Sequence, residues 1–298
     1  MTEPTSKTVR ELLAAATDYL AARGVDQPRL AVELLLARLL KCPRLELNLR
    51  SDAVLDEPRL AALRRGVKRL AAGEPLQYIL GQTEFMGRVF KTDRRALIPR
   101  PETEVLVEAV LRCAELWSAG GAAAARPPAI VDLGTGSGCI VISLALAHPE
   151  AAYLALDVSA EALALARENA AALGVADRIA FEPAELGDAV EPEHCDAVVA
   201  NLPYLTTAEY EQLPVHIREH EPRAALDGGP DGLAVIGPAV QDAAIALRPG
   251  GFLFLEIGCD QAGRARRLAQ EAGFADVRVV QDLERRDRVL CARNAADA

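Results

Sequence analysis

The sequence predicts an α/β protein: a Rossmann-like parallel sheet with helices on both faces, preceded by a small bundle of helices. Three observations predict it. From Ala129 onward, short apolar runs alternate with segments of helical length, the pattern of a parallel sheet. The first of those runs enters a glycine-rich turn, Gly134-Thr135-Gly136-Ser137-Gly138, that opens the first of those helices. Residues 8–75 show helical spacing alone, so they form a separate domain.

In chain order, Thr8 and Glu11 make a capping box ahead of Val9, Leu12, Leu13, Ala16 and Leu20, with Gly24 as the stop. A second helix runs from Pro28 to about residue 41, and a third follows Asp56, with Pro58 in its first turn. The segment 76–100, with Gly81, Phe85, Gly87, Val89 and Phe90, reads as a hairpin linker. The domain expected over 101–298 then begins with a helix over 102–117 and a loose Ala/Gly/Pro connection over 118–128. Strands are expected at Ala129–Leu133, 153–156, 179–181, 197–200, 251–257, 277–280 and 288–291. Helices are expected at Cys139–Ala147, 160–173, 233–247 and 262–272, and the last two strands pair as an antiparallel edge hairpin.

The bulk properties narrow the function. The 298 residues suffice for two domains, and 51% apolar with 26% charged residues reads as a soluble globular chain. No apolar run reaches bilayer length; residues 30–40 carry Glu33 and Arg38. The first ten residues lack a basic and then apolar leader, so a cytoplasmic location is expected. Six scattered cysteines without a CxxC pair read as core residues in a reducing compartment, with no zinc site. His216 and His220, four apart, lack a third ligand nearby and read as surface histidines. Residues 1–75 carry a net +3 and the remainder a net −13. So acidic a catalytic region matches a phosphate backbone poorly, and no direct nucleic-acid partner is expected.

Two motifs carry the chemistry. Strand, glycine loop and helix together place free backbone N–H groups where a nucleotide-type ligand would sit. Asp157, nineteen residues after Gly138 at the next strand's end, can accept two ribose hydroxyls. The Gly-x-Gly-x-Gly spacing departs from the dinucleotide fingerprint and, with no pyrophosphate to cradle, favours S-adenosylmethionine over NAD. Asp132, beneath the loop, orients it or meets the methionine ammonium. The second motif, Asn201-Leu202-Pro203-Tyr204, follows a strand on the same edge. A planar amide or amino nitrogen is a weak nucleophile and must be held in line with the methyl group. Asn201 Oδ1 and the Leu202 carbonyl can each accept one of its N–H bonds. Pro203 stiffens the turn, and Tyr204 offers an aromatic face. Taken alone, the tetrapeptide also reads as an ordinary Asn/Pro turn.

With these residues in view, the chain resembles the release-factor glutamine methyltransferase family. The resemblance runs through 74–81 (Glu-Pro-Leu-Gln-Tyr-Ile-Leu-Gly), 84–87, and Leu97-Ile98-Pro99-Arg100-Pro101-Glu102-Thr103-Glu104. It continues through the glycine loop, Glu221-Pro222-Arg223-Ala224-Ala225-Leu226, Gly229-Pro230-Asp231-Gly232-Leu233 and Leu255-Glu256-Ile257-Gly258. It implies a seven-stranded class I methyltransferase fold and methylation of the glutamine in a release factor's Gly-Gly-Gln tip, with S-adenosylhomocysteine released. It also implies that 1–75 docks the factor, that Arg100, Pro101 and Glu102 wall off cofactor from substrate, and that Glu185 stands where an adenine-contacting acid is expected. The family's tetrapeptide is usually Asn-Pro-Pro-Tyr; here Leu occupies position 202. Since only the carbonyl of 202 has a polar task, Leu should be tolerated. Asn-Leu-Pro-Tyr is also similar to the tetrapeptide of ribosomal RNA adenine dimethyltransferases. Two alternatives follow: an adenine-N6 methyltransferase on RNA or DNA, and a module that holds S-adenosylmethionine without catalysis.

Overall fold

The computed structural model describes residues 7–118 and 126–295; most of the Ala/Gly/Pro connection lies outside them. The chain divides into two compact units. One holds the residues up to Gly81 together with Val215–His220, and the other holds Gln82–Pro214 and Glu221 onward.

In the first unit, α1 (Val9–Ala21), α2 (Pro28–Leu40), α3 (Glu57–Ala71) and α4 (Leu76–Leu80) pack around Leu20, Val32, Leu36 and Leu63. The capping box closes: Thr8 Oγ1 accepts the Glu11 N–H, and the Glu11 carboxylate accepts the Thr8 N–H. The Asp56 side chain caps α3 by accepting the Arg59 N–H at 2.9 Å. A 3₁₀ segment at Arg44–Arg50 and α4 were not expected; pieces this short carry no helical period to read.

The second unit opens with a hairpin, β1 (Gln82–Phe85) and β2 (Arg88–Lys91), turned at Met86 and Gly87 with φ of 50° and 67°. Positive φ at both central residues is the type I′ signature. The helix expected over 102–117 is broken into α5 (Pro101–Leu111) and α6 (Ala114–Ser118). The break lets the Trp117 indole donate back to the Val110 carbonyl at 2.9 Å. Thereafter come β3 (Ala129–Leu133), α7 (Cys139–Ala147), β4 (Ala152–Leu156), α8 (Ala160–Ala172), β5 (Ile179–Glu182), α9 (Leu186–Ala189) and β6 (Cys195–Ala200). After α10 (Thr207–Gln212) and α11 (Val215–Arg218), the latter in the first unit, follow α12 (Ile236–Ala246), β7 (Leu247–Glu256), α13 (Ala262–Glu271), β8 (Phe274–Gln281) and β9 (Asp287–Asn294). α12 begins later than expected because Leu233 is held in a turn, donating its N–H to Asp231 Oδ1.

The sheet order is β5-β4-β3-β6-β7-β9-β8. The first five strands are parallel, and β9 is antiparallel to both neighbours. The final strand therefore inserts between β7 and β8, leaving β8 at the edge. Side chains alternate across the sheet as the two-residue strand period requires. Ile130, Ala197, Val199, Phe254 and Val289 face one core with α5 and α7, while Val131, Leu133, Val198, Leu253 and Leu290 face the other with α12 and α13. Cys113, Cys139, Cys195 and Cys291 are buried as expected, but Cys42 is half-buried and Cys259 exposed. Among the described residues no helix is long and apolar enough to cross a membrane.

Candidate active site

Strand register assembles the site. Leu133 pairs with Leu156 on one side and Ala200 on the other, and Ala200 pairs with Leu255. The residues that follow are Gly134, Asp157, Asn201 and Glu256, so they share the sheet's C-terminal edge on strands spaced about 4.8 Å apart. That edge is where ligands bind in open α/β sheets.

The glycine loop is pinned from three directions. Thr135 N–H donates to the Leu156 carbonyl at 2.9 Å, and Gly136 N–H to Asp157 Oδ2 at 2.9 Å. Asp157 Oδ1 accepts the Ser159 N–H at 2.8 Å, so this carboxylate shapes the loop as well as facing the ligand edge. Asp132 Oδ2 accepts from Thr135 Oγ1 at 2.7 Å and from the Val141 N–H at 3.2 Å. Its Oδ1 is buried without a hydrogen-bond partner, and burial pushes the carboxyl up to about 7. An acceptor the protein leaves unsatisfied beneath a nucleotide-type loop fits a ligand that carries an ammonium group. At Gly138, φ is 81° and a Cβ would stand 2.9 Å from Ile142 Cδ1, so no side chain fits where α7 starts.

At the end of β6, Asn201 Nδ2 donates to Thr103 Oγ1 of α5 at 3.0 Å. The donor end of the amide is thereby spent on the protein, and Oδ1 is turned away from it. Leu202 is buried, its Cδ2 3.0 Å from where a Gly134 Cβ would stand; the side chain thus packs on the glycine loop itself. Gln261, buried after β7, donates through Nε2 to the Tyr204 carbonyl at 2.7 Å and accepts the Gly258 N–H at 2.8 Å. Gly228 and Gly232 admit the backbone of Pro203 and Tyr204 at distances where a Cβ would collide. The Tyr204 hydroxyl lies 3.4 Å from Glu256 Oε1, and burial raises the phenol pKa above its ordinary value.

Arg100 caps the start of α5, with Pro101 and Glu102 exposed in its first turn. The carboxylate partner of Arg100 is Glu221, at 2.5 Å; the other Glu221 oxygen accepts the Ile98 N–H at 3.1 Å. Glu221 is buried and ties the 98–101 segment to the Glu221-Pro222 stretch of the same unit. Glu185 lies just past the end of β5, exposed, as the N-cap residue of α9 without a side-chain cap.

Sequence reasoning gave no role to Thr103, Glu221, Glu256 or Gln261. All four are buried polar residues. For Glu256 a signal was there: a Glu that interrupts the apolar run Phe252–Ile257 must have a partner.

Glycine loop, carboxylate and tetrapeptide on one edge of this sheet define the class: an S-adenosylmethionine-dependent methyltransferase of the Rossmann-like class I fold. A methyltransferase from Pyrococcus furiosus has the same fold, with a TM-score of 0.50 at 14% identity over 80% of this chain and 100% of that one. Residues 11–81 match the PrmC N-terminal domain and residues 123–220 the methyltransferase small domain. The chain is 42% identical to the release factor glutamine methyltransferase of Chlorobaculum tepidum, over 95% of this chain and 96% of that one. It is 36% identical to that of Rhodopirellula baltica, over 97% of each. The chain belongs to the release factor glutamine methyltransferase family.

Proposed function

We propose that the protein transfers a methyl group from S-adenosylmethionine to the side-chain amide nitrogen (N5) of the glutamine in a release factor's Gly-Gly-Gln tip. The observation that carries this reading is the amide of Asn201: with Nδ2 spent on Thr103, Oδ1 is left as an acceptor on the cofactor edge. S-adenosylmethionine supplies an electrophilic methyl on a sulfonium sulfur. The chain's own residues do the rest. Asn201 Oδ1 and the Leu202 carbonyl accept the two N–H bonds of the glutamine amide and fix its plane, while Tyr204 lies against it and Pro203 stiffens the turn. No strong base is required, because an amide nitrogen that has gained a methyl group sheds its proton readily.

Asp157 accepts the ribose hydroxyls, the 134–138 loop lies along the cofactor with Thr135 holding its base, and Asp132 answers the ammonium. Glu185 takes the adenine amino group. Arg100, held by Glu221, stands with Pro101 and Glu102 between cofactor and substrate. The helical unit docks the factor. The net −13 over residues 76–298 argues against a nucleic-acid substrate, and a translation-linked substrate supports a cytoplasmic location.

The test offers labelled S-adenosylmethionine to enzyme, release factor and ribosomal RNA in one reaction. Label on the factor supports the proposal. Label on RNA alone favours the adenine-N6 reading suggested by Asn-Leu-Pro-Tyr, and label on neither favours cofactor binding without catalysis.

A further inference from the structure

Asn169, toward the end of α8, is 1% exposed, and the other buried residues of that helix are Ala and Leu. A buried amide is costly unless its donors and its acceptor are all met. Here the backbone of two separate segments meets them. Asn169 Oδ1 accepts the Lys91 N–H at 2.7 Å, while Nδ2 donates to the Lys91 carbonyl at 3.1 Å and to the Ser137 carbonyl at 2.9 Å. Lys91 is the last residue of β2, and Ser137 lies inside the glycine loop. One side chain thus joins the end of the hairpin to the loop.

The loop depends on that junction. The Ser137–Gly138 peptide leads into α7, and Gly138, with φ of 81°, leaves it free to rotate. Its direction is therefore set by the partners at its two ends. The Gly138 N–H donates to the Thr135 carbonyl at 2.8 Å, and the Ser137 carbonyl is taken by Asn169. Beyond Lys91 the chain passes against the loop: a Cβ on Gly136 would stand 3.8 Å from the Ala96 Cβ. Ala96 is buried with Ala162 and Leu165 of α8. A second attachment lies at the surface, where Glu168 takes the Lys91 ammonium and, at 2.8 Å, the Arg95 guanidinium. Exposed ion pairs contribute little. Leaving the Lys91 and Ser137 groups unpartnered in the interior costs more, so the buried amide is the attachment that decides.

We infer that Asn169 is a positioning residue for S-adenosylmethionine and that the 91–96 arm it holds is a wall of the cofactor site, a role that rests on the assignment of loop 134–138 to the cofactor and not on the identity of the methyl acceptor. With Asn169 in place, arm and loop are already in the arrangement in which the Gly136 N–H meets Asp157. Without it the Ser137–Gly138 peptide turns, arm and loop part, and the cofactor must order both in order to bind. That cost falls on cofactor affinity. The transfer step depends on Asn201, at the end of another strand, and is spared once the cofactor saturates.

The test uses full-length proteins and S-adenosylhomocysteine as the probe. In wild type, saturating probe should slow amide hydrogen exchange at Lys91 about tenfold or more, together with Gly136 and Gly138. By calorimetry, Asn169→Leu should bind the probe on the order of 20-fold more weakly, with kcat at saturating S-adenosylmethionine within about threefold of wild type. Glu168→Ala, which removes only the surface attachment, should stay within about twofold in affinity. A merely structural Asn169 would lower the unfolding midpoint and leave the affinity of the folded molecule unchanged, and that result overturns the inference. So does an affinity loss in Glu168→Ala as large as in Asn169→Leu. Exchange in wild type separates the two readings whether or not the Leu variant folds. Probe that slows the loop but not Lys91 overturns the role of the arm alone; probe that slows neither removes the loop from the cofactor site, and the inference falls with it.

Discussion

Replacing Asn201 with Ala removes a side-chain acceptor that the structure holds ready by spending the amide's other end on Thr103. Loss of such positioning costs on the order of 100-fold in kcat, or about 3 kcal/mol of barrier. Single-turnover kinetics should show that loss with S-adenosylmethionine affinity nearly unchanged. A residue that merely shaped a turn would lower thermal stability and spare the rate per folded molecule. Asp157→Ala should behave differently. On the proposed ribose role it should weaken cofactor binding by about 1.5–3 kcal/mol, the worth of the lost hydrogen bonds to a charged acceptor. It also frees the Gly136 and Ser159 N–H groups, so calorimetry should show the lost affinity and a thermal scan a lower midpoint. Unchanged affinity would remove Asp157 from the ribose site. Both residues stand out in the sequence because a polar residue directly after an apolar strand marks the ligand edge. Their protein partners do not, since Thr103 lies 98 positions from Asn201 and only the fold brings them together.

The tetrapeptide and the glycine loop are a packed pair of elements. If only the carbonyl of residue 202 mattered, Leu202→Pro would be neutral. The Leu202 side chain, however, is buried against Gly134 and belongs to the core under β3, β6 and β7. Proline fills less of that space, so the variant should lose about 1–2 kcal/mol of stability while keeping its kcat per folded molecule. Denaturant melts paired with activity measurements separate the two. A rate loss larger than about tenfold at full folding would mean that Leu202 itself shapes the acceptor site. At this scale the strands were readable as short apolar runs between turn signals, and the long helices because apolar periodicity over nine or more residues is unambiguous. The short helical elements were not: α4, α9, α10, α11 and the 3₁₀ segment at Arg44–Arg50 span too little of a turn pattern. The break at Arg112–Cys113 was also hidden, since it is fixed by the Trp117 indole reaching back to Val110.

For the whole molecule, two buried carboxyls set a pH signature. Asp132 and Glu256 are both pushed up to about 7 by burial, from ordinary values of 3.8 and 4.5. The folded chain therefore holds more protons at these groups than the unfolded chain does between about pH 4 and 7. Their contribution to stability is greatest below the unfolded values and is lost as pH rises through 7. Carboxylates held low by partners, such as Glu168 with Arg95 and Lys91, work in the opposite sense and lose their contribution as pH falls toward 2; exposure makes each of them weak. Urea melts should therefore show stability falling from pH 5 to about 8, and falling less in Glu256→Gln. An unchanged slope in that variant would mean that Glu256 is ionised throughout. The sheet's membership was legible in the sequence, but its order was not. The polar turn after β8 announces a hairpin without saying that β9, rather than β8, joins β7.

This chain methylates a release factor's glutamine, and on the proposed mechanism Asn201 presents the acceptor that aims the amide. Peptide mass spectrometry of a release factor, incubated with S-adenosylmethionine and either wild type or Asn201→Ala, tests it most directly. Wild type should leave a single added methyl group on the glutamine of the Gly-Gly-Gln tip, localised by fragmentation to the side chain, with only a trace from the variant in the same time. An unmodified glutamine, or equal methylation by both proteins, would contradict it.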